Sequence, residues 1–263
     1  MLVEVCCFSL QSALTAQRAG ANRVELCGGL AEGGTTPSSG LIKLVRQHLT
    51  IPFTVMIRPR GGDFLYADTE LAVMKADTET AKMLGADGIV LGVLNASGTV
   101  DEVTTRAFVA LAQPLPVTFH RAFDMTRDPH EALEAVIRTG CARLLTSGQQ
   151  YAAEIGLPLL RDLVKQADGR IEVIAGAGIN PTNAALFAEA GLPAVHLTGK
   201  HVSDSAMMFR QTGLSMGSAV PGEYERVETD EDTVRAVILS SAKTEVLAPP
   251  HTPKTSNCKL FLP

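Results

Sequence analysis

The stretch VEVCCFSLQSALTAQRAGANRVELC, residues 3–27, holds one complete repeat of the architecture. A β-rich run, Val3 to Cys7, leads past Ser9, a hydroxyl placed to cap a helix at Leu10. An amphipathic segment then reaches Gly20, a C-terminal helix stop, and a second β-rich run follows from Arg23 to Cys27. Strand side chains alternate between faces, and an outer face packed on helices tolerates little polarity. Val3, Val5, Val24 and Leu26 therefore point outward, leaving Glu4, Cys6, Glu25 and Cys27 inside. Both runs read Glu-x-Cys.

Outward from this repeat the same alternation continues. Further β-rich runs lie at Phe53 to Arg58, Gly88 to Val93, Pro116 to Arg121, Arg143 to Ser147, Ile171 to Gly176 and Ala194 to Thr198. Helical segments separate them, with starts marked at Asp128-Pro129 and Asn180-Pro181 and stops at Gly85, Gly140 and Gly191. Eight β/α units predict a closed (β/α)8 TIM barrel in a single α/β domain over residues 1–244; alternation alone also leaves a doubly wound open sheet standing. The strand-to-helix connections Gly28 to Ser39, Pro59 to Asp68 and Ala122 to Arg127 are long and rich in Gly and Pro, which puts the elaborate loops at the C-terminal mouth, where such barrels carry function. Residues Gly199 to Glu228 read as a long irregular segment over the mouth, followed by a last helix near Thr229 to Ala242. Residues 245–263, with Pro249, Pro250 and Pro253, read as a flexible C-terminal tail.

Composition narrows the partners. Hydrophobic residues make up 46% of the 263 and charged residues 19%, ample for a buried core. The net charge of −5 offers no basic stripe for phosphate backbones, so no nucleic-acid partner is expected. No apolar run approaches the roughly 18 residues of a membrane span, and the first residues carry Glu4 without a basic leader. The expectation is a cytosolic protein with no membrane partner, its five cysteines (Cys6, Cys7, Cys27, Cys141, Cys258) held as thiols.

By alternation the interior also receives Thr54, Met56, Arg58, Thr118, His120, Glu172, His196 and Thr198. Buried charges must pair or serve chemistry, and a neutralised network of Glu4, Glu25 and Arg58 is one reading. Cys6 and Cys27 end neighbouring strands, about 4.8 Å apart across a sheet. Two thiolates there suit a soft ion such as Cu(I), with Met56 as a third donor; plain packing and a disulfide are the alternatives. Arg58-Pro59-Arg60-Gly61-Gly62-Asp63 sets two guanidinium groups at the mouth for a carboxylate or phosphate, or forms an Arg60–Asp63 loop pair. Gly176-Ala177-Gly178 and Thr198-Gly199-Lys200, after strands seven and eight, are further anion-binding candidates, although such turns also serve close packing. His120-Arg121-Ala122-Phe123-Asp124 offers a base, a cation and a carboxylate at the end of strand five.

Several of these segments, taken together, resemble the CutC family: Glu25-Leu26-Cys27, Glu32 to Ser38, Met56 to Phe64, Met74-Lys75-Ala76-Asp77, Thr118 to Asp124 and Leu145-Thr146-Ser147-Gly148. The resemblance runs from the first strand to the last helix and leaves out Glu245 to Pro263. It implies a TIM barrel, a cytoplasmic homodimer or higher homo-oligomer, and a role in copper homeostasis with Cu(I) held at positions matching Cys6 and Cys27. Two expectations follow. In one the chain binds Cu(I) through Cys6 and Cys27. In the other it is an enzyme for a small phosphorylated or carboxylated metabolite, with Arg58, Arg60, Gly176, Gly178, Thr198 and Gly199 around the anion and His120, helped by Glu25 or Asp124, moving a proton. Fold alone does not choose between them, and whether the chain is an enzyme stays open.

Overall fold

A computed structural model describes residues 1–214, 216 and 222–242; the expected tail at 245–263 and the end of the 1–244 domain lie outside these. Eight parallel strands close into a barrel in chain order: β1 (Leu2–Cys7), β2 (Arg23–Leu26), β3 (Phe53–Met56), β4 (Gly88–Leu91), β5 (Val117–Phe119), β6 (Arg143–Thr146), β7 (Glu172–Gly176) and β8 (Ala194–Leu197). The open-sheet alternative falls because β1 pairs with β8 as well as β2, with Glu4 opposite His196 on one side and Arg23 on the other. Helices α1 (Leu10–Ala19), α2 (Ser39–His48), α3 (Asp68–Met83), α4 (Glu102–Ala112), α5 (Pro129–Thr139), α6 (Leu157–Ala167), α7 (Ala184–Glu189) and α8 (Glu231–Ala242) surround the barrel.

The alternation rule holds at the level of packing. Val3, Val5, Val24, Leu26, Val55, Ile57, Val117 and Phe119 belong to one continuous core between strands and helices. Cys6, Cys27, Met56 and Val90 form a separate apolar group inside the barrel. Each fully buried side chain of the outer shell, such as Phe53, Phe108 or Leu133, contributes about 1.5–3 kcal/mol. This shell holds the barrel rigid and leaves the interior free for polar residues.

The local signals act as read for α1 and α5. Ser9 accepts from the Ser12 amide, and Asp128 accepts from the amides of His130 and Glu131 with Pro129 at the first turn. Gly20 and Gly140 close these helices at φ of 93° and 86°. Three expectations are corrected. Within Gly199 to Glu228 the chain forms two antiparallel strands, β9 (Lys200–Asp204) and β10 (Glu225–Thr229), in register Lys200 to Thr229. The last helix consequently starts at Glu231, capped by Asp230, whose carboxylate accepts from the Thr233 amide. Asn180-Pro181 begins a turn, not a helix: Asn180 Oδ1 accepts from the Thr182 and Asn183 amides, and α7 starts only at Ala184.

Candidate metal and ligand site at the barrel mouth

The floor of the mouth is built by β1 and β2. Their register sets Cys6 opposite Glu25, and Cys27 follows one residue past the end of β2. The Cys6 thiol donates to Cys27 Sγ at 3.6 Å, and Cys27 Sγ lies 3.5 Å from Glu25 Oε2. Both cysteines are free thiols and buried, with Met56 packed in the same group. Gly34 closes over them: a β-carbon there would touch Cys27 Sγ at 3.4 Å and Met56 Cε at 3.7 Å. The hydrogen bond from Cys6 favours the Cys27 thiolate, but burial and the Glu25 carboxylate outweigh it and push that thiol up to about 12. Cys6, which holds its proton toward Cys27 and is buried, also lies well above the ordinary thiol range. Without a metal, both are protonated at neutral pH.

A column of charge runs down the barrel axis from this floor. His196 Nδ1 is 2.7 Å from Glu4 Oε1, and its Nε2 is 3.7 Å from Glu25 Oε2. Burial opposes protonation of His196, yet Glu25, Cys6 and Glu4 together hold it well above 6.5 as an imidazolium. Burial alone would raise Glu4; its hydrogen bond to His196 and the charges of His196 and Arg23 reverse that and bring it down to about 2. Burial raises Glu25, against the attraction of His196. Arg23 Nε donates to Glu4, and Glu172 lies 3.6 Å from both Arg23 and Arg143. The network expected among Glu4, Glu25 and Arg58 therefore exists with a different cation. Arg23 and His196 neutralise it, because Arg58 extends upward into the loops.

Arg58 forms the wall. Its Nη1 donates to the carbonyls of Glu32 and Gly34 and its Nη2 to Gly62, which clasps the loop after β2 to the loop after β3. Phe64 lies under its guanidinium at 4.9 Å and against the His120 ring at 5.0 Å. His120 Nδ1 accepts the Ala122 amide at 3.1 Å, so the ring proton sits on Nε2. Burial and the neighbouring Arg58 charge lower its pKa to about 3. His120 is thus a neutral donor facing the cavity, and no described hydrogen bond joins it to Glu25 or Asp124.

The remaining expected residues divide. Asp124 accepts from Thr146 Oγ1, the Ser147 and Gln149 amides, Ser147 Oγ and Arg121 Nε, tying the turn after β5 to the loop after β6. Arg60 donates to Glu70 at 2.5 Å and to Asp63 at 3.1 Å, so it organises its own loop and does not line the cavity. Gly178 and Thr198 line the cavity, whereas Gly176 and Gly199 make room for Leu145 and Val234, which a β-carbon would meet at 2.7 and 2.8 Å. Cys6, Glu25, Arg58 and His120 are brought together around about 320 Å³ of space, joined by Phe64, Arg121, His196 and Lys200. His196 was legible as an inward residue but lacked a motif; its importance lies in being opposite Glu4 across the β8–β1 seam.

Fold and site together define a closed parallel β/α barrel with a dithiol and an imidazolium–carboxylate column in its interior. The CutC family model matches residues 1–201, and the chain belongs to the CutC family. It is 48% identical over 238 residues to the Homo sapiens copper homeostasis protein cutC homolog, covering 90% of this chain and 87% of that one. A family protein CutC of Chromobacterium violaceum is 49% identical over 237 residues, covering 90% and 96%. A solved CutC structure from Streptococcus agalactiae matches with a TM-score of 0.72 at 35% identity, over 75% of this chain and 98% of that one. The phosphoribosyl anthranilate isomerase of Thermotoga maritima, at 14% identity and a TM-score of 0.54 over 92% of this chain and 99% of its own, shares the fold alone. No helix among the described residues is long and apolar enough to cross a membrane.

Proposed function

We propose that the chain takes part in copper homeostasis by binding one Cu(I) ion through Cys6 and Cys27. The observation that carries this reading is the pair of free thiol sulfurs 3.6 Å apart on adjacent strands, with the Met56 thioether packed beside them. Thiolates and thioethers are soft donors that select Cu(I). Cys6, Glu25 and His196 also offer three donors within 4.8 Å of one another, a mixed set closer to zinc chemistry. His196, however, is held as an imidazolium by Glu4 and Glu25, so recruiting it would require a further proton to leave, whereas the two thiols already make up a Cu(I) donor pair. Its charge instead offsets the extra negative charge of a Cu(I) dithiolate. A cytosolic setting, where thiols stay reduced, and a homodimer or higher homo-oligomer belong to the same reading.

Each thiol must lose its proton to become a ligand, so binding releases up to two protons. The apparent affinity should therefore rise steeply with pH, by up to about a hundredfold per unit below the thiol range. The local test is copper K-edge X-ray absorption of the reduced protein loaded with one equivalent of Cu(I). The reading expects a first shell dominated by sulfur; a shell of nitrogen and oxygen alone would exclude it.

A further inference from the structure

The mouth cavity above the dithiol carries polar atoms that no group of the barrel satisfies. Glu25 Oε1, Arg58 Nε and His120 Nε2 are buried without a hydrogen-bond partner, and all three residues line this cavity. Their residues are 2%, 7% and 3% exposed. Buried polar atoms are normally paired, and three orphans around one space mark a place made for something else. Other unpartnered interior atoms, such as Arg23 Nη2 and Glu172 Oε1, sit in the charge column below, where those two atoms face each other at 3.6 Å.

The three atoms specify a ligand. Arg58 Nε–H and His120 Nε2–H are donors and ask for acceptors, which one carboxylate supplies with its two oxygens. Glu25 Oε1 asks for a donor, which a hydroxyl or amine supplies. Lys200 and Arg121 at the rim add positive charge toward an incoming anion. About 320 Å³ lies at the small end of ligand cavities, which admits a small metabolite. Phe64 packs against both Arg58 and His120 and supplies an apolar wall beside the two donors.

We infer that the mouth cavity is a binding site for a small hydroxy- or aminocarboxylate, held by Arg58 Nε and His120 Nε2 at its carboxylate and by Glu25 Oε1 at its hydroxyl or amine. The site lies directly against the dithiol, with Cys6 in its wall and the Glu25 carboxylate shared with Cys27. Of the residues in the second sequence reading, Arg60 is engaged by Glu70 and Asp63, while Arg58, His120 and Glu25 remain at the cavity to recognise the same chemical class.

The test is a titration of the full reduced chain with lactate and, separately, with propionate, followed by NMR of the His120 ring. Lactate should shift the ring signals saturably, and propionate, which has no donor for Glu25, should bind at least about tenfold more weakly. His120→Phe keeps the ring and removes the donor, and should weaken lactate by about tenfold or more. An absent His120 response, equal affinity for lactate and propionate, or undiminished binding in a folded His120→Phe would each overturn the inference. The comparison of lactate with propionate needs only the parent protein and stands whether or not the variants fold.

Discussion

Gly92 shows how closely the site is packed at the scale of one residue. A β-carbon there would lie 2.5 Å from His120 Nδ1 and 2.8 Å from Ala122 Cβ, so the glycine leaves the space that the imidazole and its capping turn occupy. Gly92→Ala should cost about 1–3 kcal/mol in urea unfolding and move the His120 ring signals, since the overpacked ring must leave its bond with the Ala122 amide. Arg23 is a second such residue. Removing one partner of a buried ion pair strands the other, so Arg23→Ala should lower stability by about 3 kcal/mol, measured in the same way. The sequence made Cys6, Glu25, Arg58 and His120 visible because period-two alternation labels inward positions. It hid Arg23's role, because a charge at the first residue of a strand looks like an exposed edge. It also suggested tasks for Arg60 and Asp124 that their neighbours decide. Glu70 and Asp63 engage Arg60, and five donor atoms surround Asp124, none of which is adjacent in the chain.

At the scale of elements, what was legible is what is local. Asp128 before Pro129 specifies a helix start because the carboxylate reaches amides only two and three residues on, and it does so at 2.9 Å. Asp128→Ala should therefore cost about 1 kcal/mol in thermal or urea unfolding, without changing binding at the mouth. The β9–β10 pair was not legible for the opposite reason. Its strands are mostly exposed, so they lack an alternating apolar face, and their partners lie up to 29 positions apart, from Lys200 to Thr229. Tertiary contacts fix it: the Thr229 amide donates to Ser12 Oγ, and Thr229 Oγ1 approaches Cys7 Sγ at 3.9 Å, which fastens the base of the pair to α1 and β1. Asn180-Pro181 misled because the same Asn that caps helices also closes a turn with the amides that follow it.

Across the whole molecule the polar interior couples folding to pH. His120 is held at about 3 against an ordinary 6.5, so an unfolded chain takes up that proton first and stability falls as pH drops from about 6.5 toward 3. Glu4, at about 2 against 4.5, adds a second loss between those values. His196 works the other way: raised above 6.5, it contributes fully below that pH and loses its contribution as pH rises through its folded value. The melting temperature should accordingly decline from about pH 7 to about pH 5, and His120→Phe should flatten that part of the profile while leaving the steeper acid loss in place. The most direct test of the copper reading is an anaerobic Cu(I) titration of the reduced protein against a competing chelator, alongside the Cys6→Ser/Cys27→Ser variant. Binding of one tight equivalent by the parent, abolished in the variant, is the predicted result; equal binding by both proteins, or none by either, would contradict a copper site at Cys6 and Cys27.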